Sequence, residues 1–125
     1  MINATHSIIY ADDADKARAF FRDVLHLGNI DAHGGWLIFK LPPSELGIHP
    51  SGSDTAPGSP SGHHELYLMC DDIEATVSEL KAAGVEFGSG IQEAGFGRLI
   101  HLQVPGAGEI GLYQPRHPTA YNLES

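Results

Sequence analysis

Residues 64–87, HELYLMCDDIEATVSELKAAGVEF, change periodicity twice within one short stretch. A strand-like run from Glu65 to Cys70 meets the acidic pair Asp71-Asp72, after which Ile73, Val77, Leu80 and Ala83 recur at helical spacing as one apolar stripe. An aspartate directly before such a stripe is a good N-cap, because its carboxylate accepts from the exposed amides of the first turn. Gly84 supplies the stop, and Val85 to Phe87 open a new strand. The stretch predicts strand, capped helix, strand.

The same order occurs nearer the start, in residues 5–25, THSIIYADDADKARAFFRDVL. His6 to Tyr10 alternates as a strand, Asp12-Asp13 offers caps, and Ala17, Phe20, Phe21, Val24 and Leu25 form the helical stripe. Setting Asp13 on Asp72 superposes His6 on Glu65 without a gap. Apolar segments punctuated by glycine follow each helix. In the first half these are GNIDAH (28–33), GGWLIFKLP (34–42) and ELGIHP (45–50); in the second, VEFGSG (85–90), GRLIHLQVP (97–105) and GEIGLYQP (108–115). Each half predicts a βαβββ module. The domain 1–125 then divides into a module at 1–49, a connector at 50–62, a module at 63–115 and a tail at 116–125 that runs over the surface. The connector, PSGSDTAPGSPSG, holds no large apolar residue and is too polar to pack.

At 125 residues the chain is one compact domain, or two half-size modules sharing a core. No apolar run is long enough to span a bilayer and no basic-then-apolar leader opens the sequence, so the expected location is the cytoplasm. The lone Cys70 cannot form an intrachain disulfide, which agrees with a reducing compartment. It falls mid-strand, where burial makes it inert. Seven basic against sixteen acidic side chains give a net charge of −9, which argues against nucleic acid or an anionic membrane as partner and favours cationic small molecules. GAG and GFG lack the strand–turn–helix context of a phosphate loop. Trp36 reads as core or pocket wall.

A tandem βαβββ repeat with His6 on its first strand, Asp-capped helices and a Pro-Gly turn before GLYQP resembles the vicinal oxygen chelate superfamily, the glyoxalase, bleomycin resistance protein and extradiol dioxygenase fold. The resemblance runs from about His6 to Pro115. It implies an α+β fold in which the two modules form an open concave sheet trough that takes a small molecule. It also implies a homodimer, with each trough built within one chain or across two. In metal-dependent members a divalent ion (Zn, Ni, Fe or Mn) is held by histidine and glutamate on the first and last strands of the modules. The matching positions here are His6, Glu65, Gly47 and Gly111. Glycine has no ligating side chain, so the chain departs from the pattern at both last strands.

Residues two apart share a face of a strand, so Glu45 and His49 flank Gly47, and Glu109 and Tyr113 flank Gly111, each about 6–7 Å along its strand. The substitute metal set is therefore His6, Glu65 and His49, with Glu109 next. His63 and His64 read as surface residues, and the facing of His101 stays open. A glycine within a strand also makes room. On that reading His49, Tyr67, Met69, Glu109 and Tyr113, with Gly47 and Gly111 beneath, line a widened ligand pocket. Two functions follow: a small-molecule binder of the resistance or sequestration type, without metal, or a metal-dependent glyoxalase-like lyase or dioxygenase using His6 and Glu65. In the absence of metal Glu65 is the candidate general base.

Overall fold

Both helices begin where the acidic pairs place them. In the computed structural model, which describes residues 6–48, 61 and 64–123, α1 spans Ala14–Asp23 and α2 spans Ile73–Ala82. The Asp13 carboxylate accepts from the Lys16 amide at 3.0 Å and the Asp72 carboxylate from the Ala75 amide at 3.1 Å. Gly84 follows α2 at φ +91°, a conformation glycine adopts without a Cβ penalty.

The second repeat builds the main sheet. Its strands are β3 (Tyr67–Met69), β4 (Gln92–Ala94), β5 (Gly97–Val104) and β6 (Gly108–Pro115), in the spatial order β3-β6-β5-β4. The first and last strands of the module, β3 and β6, pair in parallel, and the other pairs are antiparallel. Phe87 faces Leu102 while Gln92 faces Leu99, so the edge chain is bulged over 88–91 where glycines interrupt it.

One face of this sheet carries Ile100, Leu102, Val104, Ile110 and Leu112, and the stripes of both helices (Ala17, Phe20 and Phe21; Ile73 and Val77) join them in one core. Leu102 and Ile73 are fully buried. The helix of the first repeat thus packs into the core of the second. Its start is pinned by the Asp13 amide, which donates to the Gly106 carbonyl in the β5–β6 turn at 3.0 Å. A cleft of about 670 Å³ lies by the β5–β6 turn, bounded by Asp12, Phe20, Val24, Val85, Glu86 and Pro105 among others, and among the described residues no three ligating side chains converge in it.

The first repeat holds less strand than its sequence predicts. β1 (Asn29–Asp31) and β2 (Leu37–Phe39) form a separate antiparallel pair, attached through Phe39 against Phe21 on α1. Residues 6–10 and 45–48 form no strand, which corrects the reading of both segments. A strand exists through its hydrogen-bonding partner. By the repeat, 8–10 would pair with 47–49 as β3 pairs with β6, and 8–10 instead leave Ile8 64% and Tyr10 89% exposed. His49 and the connector other than Ser61 lie outside the described residues. Trp36 is 63% exposed beneath the Arg18 guanidinium, 4.7 Å from its ring centre, so it is not core. Among the described residues no helix is long and apolar enough to cross a membrane.

Candidate functional site

Register decides what the other face of the sheet presents. Tyr67 lies opposite Gly111, which lies opposite His101; one step along, Met69, Tyr113 and Leu99 form the next row; Glu109 lies opposite Gln103. Alternation turns all of these away from the helices. Tyr67, Met69, Glu109, Gly111 and Tyr113 therefore share one face, as the sequence predicts. The facing of His101, open in the sequence, is settled by its antiparallel partner, and this histidine joins them.

The space above Gly111 is taken. A Cβ at residue 111 would stand 2.1 Å from Cδ1 and 2.2 Å from Cε1 of Tyr67, so the tyrosine ring covers the glycine. The expectation of a pocket deepened at this point is corrected accordingly: the glycine makes room for Tyr67. At Gly97 an added Cβ would stand 2.5 Å from the Gln114 carbonyl oxygen and 2.6 Å from Cε1 of Tyr113, so this glycine makes room for the neighbouring strand and for the Tyr113 ring. The Tyr113 hydroxyl donates to the Phe96 carbonyl at 2.9 Å, which holds the ring in place. Gly47, the matching position of the first repeat, is exposed and in no strand, so the two glycines do not share one cause.

Polar groups ring this aromatic floor. The Tyr67 hydroxyl is 3.5 Å from Nε2 of His101, and their ring centres are 5.8 Å apart. Burial, then the charge of Glu65 and a hydrogen bond to it, push the Tyr67 phenol up from 10.0 to about 12. The phenol stays protonated and serves as a donor. The Gln103 amide donates to the Glu109 carboxylate at 3.0 Å. From the first repeat, Glu45 accepts from the Ala120 amide at 2.8 Å and lies 3.7 Å from His117, whose ring is 5.8 Å from that of Tyr113. Burial, and secondarily the Glu45 charge, raise the Tyr113 phenol. The Cys70 thiol is raised chiefly by burial, consistent with an inert cysteine.

A tyrosine raised in the fold stabilises the folded state below its unfolded pKa and loses that contribution as pH climbs through its folded pKa. Subtracting the phenolate absorbance titration of Tyr67→Phe from that of the parent chain is expected to leave one transition near pH 12, with folding stability falling between pH 10.0 and about 12. A difference transition at pH 10.0 would mean that Tyr67 is neither buried nor bonded as described.

The family's metal does not fit this donor set. A carboxylate at position 111 would have to occupy the volume of the Tyr67 ring. Glu65 is exposed and bonded to the Tyr67 phenol, His6 is exposed outside any strand, and His49 lies outside the described residues. Among the described residues no three His, Cys, Asp or Glu side chains converge on a possible ion. Sequence reasoning placed Glu45 beside Gly47 and left the facing of His101 open, and it missed Phe96 and His117. The signal for His101 was its place in a strand of unknown register and that for Glu45 its spacing from Gly47; Phe96 and His117 carried none.

Comparison with known proteins places these features. The profile of the Glyoxalase/Bleomycin resistance protein/Dioxygenase superfamily matches residues 3–109. No functionally curated protein matches the sequence. Among solved structures, a lactoylglutathione lyase from Agrobacterium tumefaciens is similar at 18% identity and a TM-score of 0.58, over 90% of this chain and 96% of that one. TnmS3, an antibiotic binding protein from Streptomyces sp. CB03234, is similar at 24% identity and 0.56, over 92% and 99%. A superfamily member from Sphaerobacter thermophilus is similar at 19% and 0.60, over 90% and 98%. These likenesses show the shared fold, and the match across most of the sequence shows that the chain belongs to the Glyoxalase/Bleomycin resistance protein/Dioxygenase superfamily.

Proposed function

We propose that this protein binds a small organic molecule on the helix-free face of its β3-β6-β5-β4 sheet, sequestering it without a metal ion. The observation that carries this reading is the Tyr67 ring over Gly111. In the position where the family's metal-dependent members place a chelating side chain, this chain places an aromatic surface. Tyr67, Met69 and Tyr113, with Glu65 and Glu109 at the rim, make a mixed apolar and acidic lining of the kind that holds small molecules. The antibiotic-binding activity named for TnmS3 is in keeping with it.

The working unit of this reading is a homodimer in a reducing cytoplasm. Ile8, Tyr10, Ile30, Leu46 and Ile48 of the first repeat are all more than 60% exposed, and a second copy would bury them.

The test is metal analysis of chelator-free protein together with a thermal-shift screen of neutral and charged compounds. The expected result is no stoichiometric transition metal and at least one stabilising ligand, worth about 2.7 kcal/mol at a hundredfold excess over Kd. Tyr67→Leu should abolish that stabilisation. One equivalent of metal, lost in His6→Ala, would overturn the reading in favour of a metalloenzyme.

A further inference from the structure

Three aromatic pairs of the helix-free face are inclined, while His117 lies against Tyr113 at 31° and 5.8 Å on the side of the tail. Tyr67 and Tyr113 lie 6.1 Å apart at 69°, Tyr67 and His101 5.8 Å apart at 61°, and Phe96 and Tyr113 5.8 Å apart at 49°. An inclined pair leaves exposed parts of ring faces that a stacked pair would cover. The face of an aromatic ring carries the negative end of its quadrupole and attracts a cation within about 6 Å of its centre. Tyr113 is 8% exposed and forms the floor, while Tyr67 and His101 are half-buried and form walls.

Around these rings the permanent charges are carboxylates, with the His117 imidazole between Tyr113 and Glu45. Glu65 is bonded to Tyr67, Glu109 stands beside Gly111 on the same strand, and Glu45 reaches the Tyr113 side from the first repeat. The two arginines nearest in sequence are committed elsewhere. Arg98 pairs with Glu74 and Glu93, and Arg116 bonds Glu93 and the Ala94 carbonyl. Among the described residues no hydrogen bond, ion pair or cation–π contact is seen between a lysine or arginine side chain and Tyr67, His101 or Tyr113. The net charge of −9 adds a long-range field of the same sign.

We infer that the ligand of this face is an organic cation, a quaternary or fully substituted ammonium group seated against Tyr67, His101 and Tyr113, with Glu65 and Glu109 as its counter-charges. This rests on the small-molecule reading above and narrows it to one chemical class. Among the described residues no side-chain group offers the ligating geometry that an inorganic ion needs, but a methylated ammonium needs none. Its charge is diffuse and weakly hydrated, and it is held by ring faces and by carboxylates that do not have to touch it.

The experiment uses the full chain and two probes of equal shape: choline, and its neutral carbon isostere in which a tert-butyl group replaces the trimethylammonium. Both are titrated into isotope-labelled protein and followed by NMR. Choline is expected to shift the signals of Tyr67, His101 and Tyr113 and to bind about tenfold more tightly than the isostere, the scale of a desolvated cation–π contact assisted by rim charge. Glu65→Gln, an exposed and nearly isosteric change, should weaken choline severalfold and leave the isostere unaffected. Equal binding of the two probes would overturn the inference, as would choline shifts confined to other parts of the chain. If neither probe moves these signals while the broad screen still finds a ligand that depends on Tyr67, the cation inference fails alone. If the screen is silent as well, both readings fail.

Discussion

Gly111→Ala is expected to cost about 2–3 kcal/mol of folding stability, and the loss should disappear when Tyr67 is first shortened to alanine. The added methyl would stand 2.1 Å from Cδ1, 2.2 Å from Cε1 and 2.8 Å from Cγ of Tyr67. Cγ is close to the root of the side chain, so the clash is not relieved by moving a ring tip: the whole ring must swing off the sheet or β3 must separate from β6. Overpacking of this kind typically costs about 1–3 kcal/mol. In the Tyr67→Ala background the sign should reverse. Glycine within a strand is less stable than alanine by about 0.5–1 kcal/mol, so once the ring is gone the same substitution becomes neutral or mildly stabilising. Urea unfolding of the four proteins of this cycle gives the coupling directly, with an expected value of about 2–4 kcal/mol. Equal costs in both backgrounds would show that Tyr67 is not what excludes a side chain at 111. The aromatic floor and the mismatch with a chelating carboxylate would then both lose their physical basis.

That pair also marks where sequence reading stops. The helices were legible because their signals are local: Asp13 and Asp72 cap within three residues, and the stripes recur within a turn or two. The strand expected at Val85 to Phe87 is corrected to one bridge at Phe87, and β4 at Gln92–Ala94 was not read, because Gly88 and Gly90 shift the pairing along the edge. Strands β3, β5 and β6 were legible from alternation and turn glycines, as was the placing of Gly111 on the last of them. What the glycine accommodates was not, because Tyr67 reaches it only through parallel pairing across an intervening helix, and no local pattern sets that register. The facing of His101 was hidden for the same reason. In the first repeat, alternation at His6–Tyr10 suggested a strand, but alternation only says which sides a strand would have; whether it forms depends on a partner. The contacts of Glu45 with Ala120 and His117 join distant parts of the chain through a tail that has no period.

Gly106→Ala should be the more damaging of two otherwise similar substitutions in the β5–β6 turn, costing about 3 kcal/mol where Gly108→Ala costs about 1 kcal/mol. Both glycines have positive φ, +79° at Gly106 and +74° at Gly108, so an alanine pays a comparable backbone strain at either. Their surroundings differ. Nothing lies within 4 Å of a Cβ placed at Gly108, whereas one at Gly106 would stand 2.5 Å from the Asp13 carbonyl oxygen and 3.2 Å from its carbonyl carbon. That is backbone at the cap of α1, and it cannot rotate away. Val104-Pro105-Gly106-Ala107 closes as a turn through the Ala107 amide on the Val104 carbonyl at 2.9 Å, with proline and glycine in the central positions that a type II turn favours. The same Gly106 then offers its carbonyl to the Asp13 amide. Relief of the clash therefore requires the first repeat's helix to lift from the second repeat's turn, breaking that hydrogen bond and loosening Phe20 and Phe21 from the core they share with Leu102. Denaturant unfolding should show the difference of about 2 kcal/mol, and amide exchange in Gly106→Ala should accelerate across Ala14–Asp23 while β5 stays protected. Equal losses for the two variants, or acceleration spread evenly over both helices, would mean that α1 is not docked through this turn, and that the two repeats are held together by some other contact.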